Sequence, residues 1–320
     1  LENVLNGVFD IAGELYNIKF TKAPEVEVYH PEVTVYKVTS SQTNQLVAYV
    51  YTDFFPRSTK RAGAWMSSFK SQCKKNGIDE RPQVSVTCNF TKPTATKPSL
   101  LTFGEVTTLF HEFGHALHGM LSDTTYPSLS GPHVYWDFVE LPSQIFENWC
   151  YEKEALSRFA KHYETGEVIP DALIEKIKAA ASFEAGMQML RQVGLASIDF
   201  GWHAVESLDH VKQVKEYEAE LTAKTSLYPE TDGVCTSTAF SHIFQGGYSA
   251  GYYSYKWAEV LDADAFEYFK ERGIFNKEVA TKFKQNILAA GGSAHPMELY
   301  KAFRGAEPSI EPLLKRGNLN

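Results

Sequence analysis

Apolar residues in the first 22 positions recur at spacings of three and four, namely Val4, Leu5, Val8, Phe9, Ile11, Ala12, Leu15 and Tyr16. That period predicts an amphipathic helix over 1–22. The pattern then changes. Between 26 and 55 the runs VEVYH, VTVYKV and LVAYVYTDFF are rich in β-branched and aromatic residues, with a polar cluster at 40–44 between them, so two or three strands are expected. Residues 56–66 read as a loop and QVSVTCNF at 83–90 as one more strand, after which TKPTATKPS breaks regular structure with two prolines.

From Thr102 the helical period takes over. Thr102 and Glu105 form a capping box before the run FGEVTTLFHEFGHALHGM. Further helices are expected at about 142–163, 171–190 (with Asp171 as its cap), 206–225, 248–271 and 277–289. No internal repeat or low-complexity tract interrupts the series. A small sheet followed by many helices implies a mainly α fold of the α+β kind, with its sheet near the N-terminal part. We expect one domain over 1–320, with a helix, sheet and loops in 1–100 and a helical part in 101–320.

Composition narrows the class. The chain has 320 residues, enough for a substantial core, and 43% of them are hydrophobic. A net charge of −8, without any basic stripe, argues against a nucleic-acid partner. No apolar run approaches the ~20 residues of a membrane helix. Cys73, Cys88, Cys150 and Cys235 contain no C-x-x-C pair, so they read as reduced thiols rather than a cysteine metal site. No signal peptide is visible in a chain that opens on Leu1, and the expectation is a cytoplasmic location.

The chemistry lies in HEFGH. On a helix, His111 and His115 sit four residues apart on one face, with Cβ atoms ~5–6 Å apart, so both imidazoles can hold one metal ion. Glu112 points about 100° away and can reach a water on that ion, the place of a general base. H-E-x-x-H also arises by chance on ordinary amphipathic helices, so a third ligand is needed. His118 and Leu121 stand where a metzincin would have Gly and His, which removes that class. WDFVELPSQIFENW offers Glu140 and Glu147, and Glu140 is taken as the ligand; Pro142 requires a helix that starts or bends there. Glu147 and Asp137 are candidate acceptors for the ligand imidazoles, or else plain solvated acids. His118 is read as a satisfied helix histidine. Gly114 leaves room for another backbone.

These residues resemble a known family. FHEFGHALHG followed by DFVELPSQ, with a glutamate 29 residues after the first histidine, is similar to the thimet oligopeptidase, neurolysin and peptidyl-dipeptidase family. YTDFFPRSTKRAGAWM, FSHIFQGGYSAGYYSYKWAEV and HPMELYKAFRGAEPSIEPLL resemble further segments of it. The wording FSHIFQGGYSAGYYSYKW resembles the bacterial peptidyl-dipeptidase branch more than the animal oligopeptidases. The resemblance implies a helical zincin-like metallopeptidase with one zinc ion per chain. It implies His111, His115 and Glu140 as ligands and Glu112 as base. Tyr248 and Tyr255 match residues that bind substrate and stabilise an oxyanion, while His242, Gly247 and Tyr252 match the substrate cleft. Independently, Tyr248, Tyr252 and Tyr255 fall at i, i+4 and i+7, one helical face, and such a stripe also serves for packing. Tyr253 and Trp257 are read as packing residues.

The implied activity is hydrolysis of short peptides, with release of C-terminal dipeptides as the alternative specificity. A catalytically silent peptide-binding half is the alternative of another class. Family members are roughly twice this length, with a helical N-terminal half forming the other wall of a channel. A homodimer or a separate N-terminal half therefore stays open as the partner.

Overall fold

The computed structural model describes residues 1–320 except 208, 210, 212, 230 and 320. Helix α1 (Glu2–Tyr16) ends at Asn17, whose φ of 55° lies in the left-handed region. The predicted helix over 1–22 is therefore too long. Its last five residues are strand β1 (Ile18–Lys22), because the left-handed Asn17 turns the chain back along the sheet. Strands β2 (Thr34–Ser40) and β3 (Leu46–Asp53) match the next two apolar runs. VEVYH at 26–30 is not a strand, and it forms irregular, bent chain before β2.

The 56–66 loop ends two residues early, at β4 (Trp65–Lys70), followed by the short β5 (Cys73–Lys75) and β6 (Ile78–Glu80). These three had no clear alternation in sequence, since they sit at an edge or in a two-stranded flap and bury little. β7 (Gln83–Thr87) completes a five-stranded sheet of order β1-β2-β3-β7-β4, in which only the β3–β7 pair is parallel. At the C-terminal ends of β3 and β7 the buried Asp53 carboxylate takes both guanidinium nitrogens of Arg57 (2.8 and 2.9 Å) and the Lys60 ammonium (3.0 Å). The same ammonium donates to the carbonyls of Phe55 and Cys88, which ties the strand ends together.

Helix α2 (Phe103–Met120) lies across the sheet. Its capping box forms as predicted: Thr102 Oγ1 accepts from the Glu105 amide and Glu105 accepts from the Thr102 amide. Val106, Leu109, Phe110, Phe113, Ala116, Leu117 and Met120 form its buried stripe, in one cluster with α1, the sheet and the later helices. The single helix expected at 142–163 is broken into α3 (Leu141–Glu147), a 3₁₀ turn (Asn148–Tyr151) and α4 (Lys153–Phe159).

The 171–190 prediction straddles α5 (Asp171–Ala181) and α6 (Ala185–His203), with Glu184 in the left-handed conformation between them. Pro170, not Asp171, is the capping position of α5, and no side chain among the described residues caps it. Of the helix expected at 206–225, α7 (Val214–Thr222) is present; positions 208, 210 and 212 lie outside the described residues. Two single-turn helices, α8 (Thr236–Ala239) and α9 (Ser241–Phe244), precede α10 (Ser254–Arg272). α11 (Lys277–Phe283), a π turn, α12 (Pro296–Arg304) and α13 (Glu311–Arg316) close the chain. Among the described residues no helix is long and apolar enough to cross a membrane.

Candidate metal centre

Two helices make the site. α2 carries His111 and His115 one turn apart, with their ring centroids 5.0 Å apart. α3 crosses α2 at Gly114, where a Cβ would lie only 2.3 Å from the Pro142 carbonyl oxygen. The absent side chain thus lets the start of α3 press against α2. Glu140 is the residue before that start, so the helix begins beside it, one of the two outcomes that Pro142 allowed.

The result is convergence. Glu140 Oε2 lies 3.2 Å from His111 Nε2 and 3.2 Å from His115 Nε2, and the three donor atoms fall within 4.8 Å of one another. Bonds of ~2.0–2.1 Å in a tetrahedral site would put ligand atoms about 3.4 Å apart, so the spacing suits a small ion. Two imidazoles and a carboxylate are also a donor set that suits zinc. This places together the three residues picked as ligands from sequence.

Supporting contacts orient the donors. His111 Nδ1 lies 2.6 Å from Glu147 Oε1, which leaves Nε2 as the inward-facing atom. Of the two acids considered for this task, Glu147 does it. Asp137 instead accepts from the Tyr253 hydroxyl at 2.9 Å, which gives Tyr253 a polar partner beyond packing. Ser143 Oγ donates to Glu140 Oε2 at 2.8 Å and is fully buried. The sequence reading missed Ser143, although its place three residues after Glu140 at a helix start was a usable signal. Burial pushes the Glu140 carboxyl up, but the His115 and His111 imidazoles outweigh it and hold the group well below the usual carboxylate range.

Glu112 follows His111 and is 6% exposed, with its Oε2 unpartnered among the described residues. Burial raises its carboxyl above the ordinary glutamate value, against the pull of the neighbouring imidazoles. His118 departs from expectation. It is fully buried with neither ring nitrogen partnered among the described residues, and burial lowers its value to about 3.

The tyrosines reach the site by another route than predicted. α10 begins only at Ser254, so Tyr248 and Tyr252 stand on a turn before it and only Tyr255 on the helix. A helix-long face does not exist because Gly247 (φ 87°) and Ala250 (φ 53°) are left-handed. The rings still gather. Tyr248 stacks on Tyr255 with centroids 5.0 Å apart, and Tyr252 lies 5.1 Å from Tyr255. The Tyr248 hydroxyl donates to Glu140 Oε1. His242, on α9, has its ring 6.2–6.4 Å from all three phenols. Gln144 Nε2 donates to the Tyr255 carbonyl at 3.1 Å, linking α3 to α10. Burial and the Glu140 charge raise both the Tyr248 and the Tyr255 phenol, so both keep their protons at neutral pH.

Known proteins are similar to this chain along most of its length. The chain is 44% identical over 313 residues to oligopeptidase A of Escherichia coli (strain K12), covering 97% of this chain and 46% of that relative. It is 39% identical over 322 residues to dipeptidyl carboxypeptidase of the same organism, covering 100% of this chain and 47% of that relative. The chain thus spans about half the length of the curated relatives it matches. The structure of PZ peptidase A with inhibitor 2 shares the fold, with a TM-score of 0.58 at 17% identity over 83% of this chain and 42% of that one. The sequence profile of Peptidase family M3 matches residues 1–319, which takes in every segment that forms the site. With the profile spanning the chain and the relatives agreeing, the chain belongs to peptidase family M3.

Proposed function

We propose that this chain hydrolyses peptide bonds in short peptides, using one zinc ion held by His111, His115 and Glu140. The observation that carries this reading is the convergence of two imidazoles and a carboxylate beside a buried, unpartnered Glu112 oxygen. Zinc bound there would supply Lewis acidity, bringing its water to a pKa of ~7 and polarising a carbonyl.

The protein's own groups do the rest. Glu112 takes a proton from the attacking water at its free Oε2 and passes it to the leaving nitrogen as the C–N bond breaks. Its burial favours the protonated form more than in water, which suits a group that must both accept and release a proton. Tyr248 is committed to Glu140, so it orients the ligand carboxylate. Tyr255, stacked beside it, is the donor we assign to the carbonyl oxygen as negative charge grows there. His242, Gly247 and Tyr252 line the approach to these phenols.

Glu112→Gln tests the reading. The variant should keep one zinc per chain by metal analysis and lose turnover of a short fluorogenic peptide by about 10³-fold or more. Wild-type turnover in that variant would remove the assignment. Retained zinc with no activity in the wild-type chain itself would instead favour a peptide-binding half that needs a partner.

Release of C-terminal dipeptides is an alternative reading, favoured by the likeness to dipeptidyl carboxypeptidase. Amidating the substrate C-terminus separates the two, since only dipeptide release needs the free carboxylate. We also assign the chain to a reducing compartment, the cytoplasm. All four cysteines are free thiols, and Cys88 and Cys150 are buried.

A further inference from the structure

The turn that carries Tyr248 and Tyr252 has little secondary structure to hold it. Its own backbone bonds are short-range turns: Gly251 N to Tyr248 O at 2.9 Å and Ser254 N to Gly251 O at 3.0 Å. Ala250 sits there at a φ of 53°, a conformation that a residue with a Cβ adopts only when its surroundings impose it. Something outside the turn must impose it.

That group is Asp199, fully buried on α6. Its Oδ1 accepts from the Ala250 amide and its Oδ2 from the Tyr252 amide, each at 2.8 Å. His203 Nδ1 lies 2.8 Å from the same Oδ1. A buried carboxylate is tolerable only when so paired, and each of its oxygens here takes a different part of one turn. The opposite side of the turn is held by α9: the Tyr248 amide donates to the His242 carbonyl at 3.2 Å, and Ser249 Oγ donates to the Ile243 carbonyl at 2.5 Å. Ile198, beside Asp199, packs with Phe240, Ile243 and Tyr252.

Resting on the reading that the phenols serve peptide hydrolysis, we propose that Asp199 is a positioning residue. It fixes the Tyr248–Tyr252 turn against α6, and so sets the Tyr248 hydroxyl on Glu140 and the Tyr248 ring on Tyr255. A carboxylate is required because an amide has one acceptor oxygen. Asp199→Asn therefore sets its NH₂ against one of the two backbone N–H groups, leaving that donor buried without a partner.

Two measurements on the full chain test this. The first needs no activity: hydrogen exchange in Asp199→Asn against wild type. The Ala250 and Tyr252 amides should exchange about tenfold faster or more, with α2 unchanged and zinc content unchanged. Unchanged exchange at these two amides overturns the proposal, and so does an even rise in exchange across a variant that still folds, which marks a merely structural residue. His203→Phe removes only the third donor and should raise the same exchange by a smaller factor, which keeps the test open where Asp199→Asn folds poorly. The other measurement is a cycle with Tyr248→Phe. Asp199→Asn should lower kcat roughly 10- to 100-fold with a smaller change in KM. The double variant should be no worse than the poorer single one, and multiplying losses overturn the coupling. If Tyr248→Phe alone has wild-type kcat, the role given to that phenol fails, while the exchange result still decides the role of Asp199.

Discussion

α2 and α6 are nearly equal in length, 18 and 19 residues, yet α2 buries eleven of its residues and α6 only three. α2 is packed by the sheet on one side and by α3 at Gly114, within the main apolar cluster. α6 is joined mainly to α7, with a cavity of about 420 Å³ beside them, and Phe183, Val193 and Phe200 of this region are exposed. Both helices serve the same site. α2 places His111 and His115 by apolar packing over most of its surface. α6 places the tyrosine turn through one buried carboxylate and one isoleucine. Dense packing gives a geometry that many contacts over-determine, whereas a polar anchor gives one that a single atom can undo.

Four substitutions break or sharpen that contrast. Phe113→Ala, in the fully buried stripe of α2, should cost about 3–5 kcal/mol in denaturant unfolding and weaken zinc binding with it. A loss below about 1 kcal/mol would mean that α2 is not over-determined.

Asp53→Asn comes next, at about 3 kcal/mol near pH 7, since it strips the buried Lys60 ammonium (side chain 2% exposed) of its carboxylate. Burial alone would raise the Asp53 carboxyl, but Arg57 and Lys60 outweigh it and the group sits below its usual 3.8. A lowered carboxyl stabilises above the unfolded value and loses that contribution as the pH falls through the folded one. The gap between wild type and Asp53→Asn should therefore close as the pH drops below 3.8, and a gap that persists unchanged in acid would rule out this linkage.

Thr102→Ala removes the α2 capping box and should cost about 1 kcal/mol by thermal unfolding, with little effect on zinc. Phe183→Ala, at a side chain 71% exposed before α6, should stay within about 0.5 kcal/mol. The same residue type and the same substitution then differ between the two regions by several kcal/mol, and similar losses at Phe113 and Phe183 would erase the distinction drawn here.

Local signals were legible where one element supplies its own answer. The HEFGH face, the Thr102–Glu105 box and the β2, β3 and β7 runs depend on short-range period and capping chemistry, and each is present. Glu140 was readable because it stands at a helix start marked by Pro142, within reach of the preceding helix. Edge strands β4 to β6 bury too little to show alternation. The tyrosine spacing suggested a helix from 248, but it begins only at Ser254, after the left-handed Ala250.

By itself the sequence determined that His111 and His115 share one face, because two residues one turn apart on a strongly periodic helix point the same way. It also singled out Tyr248, Tyr252 and Tyr255, whose rings gather in the fold, though not the path that brings them in. Tertiary structure alone decided that Glu147 rather than Asp137 orients His111, that Ser143 and Tyr248 share Glu140, and that Asp199 holds the turn. Asp199 and Ala250 are 51 residues apart, and no local period links a side chain to the backbone amides it meets only after the helices have packed.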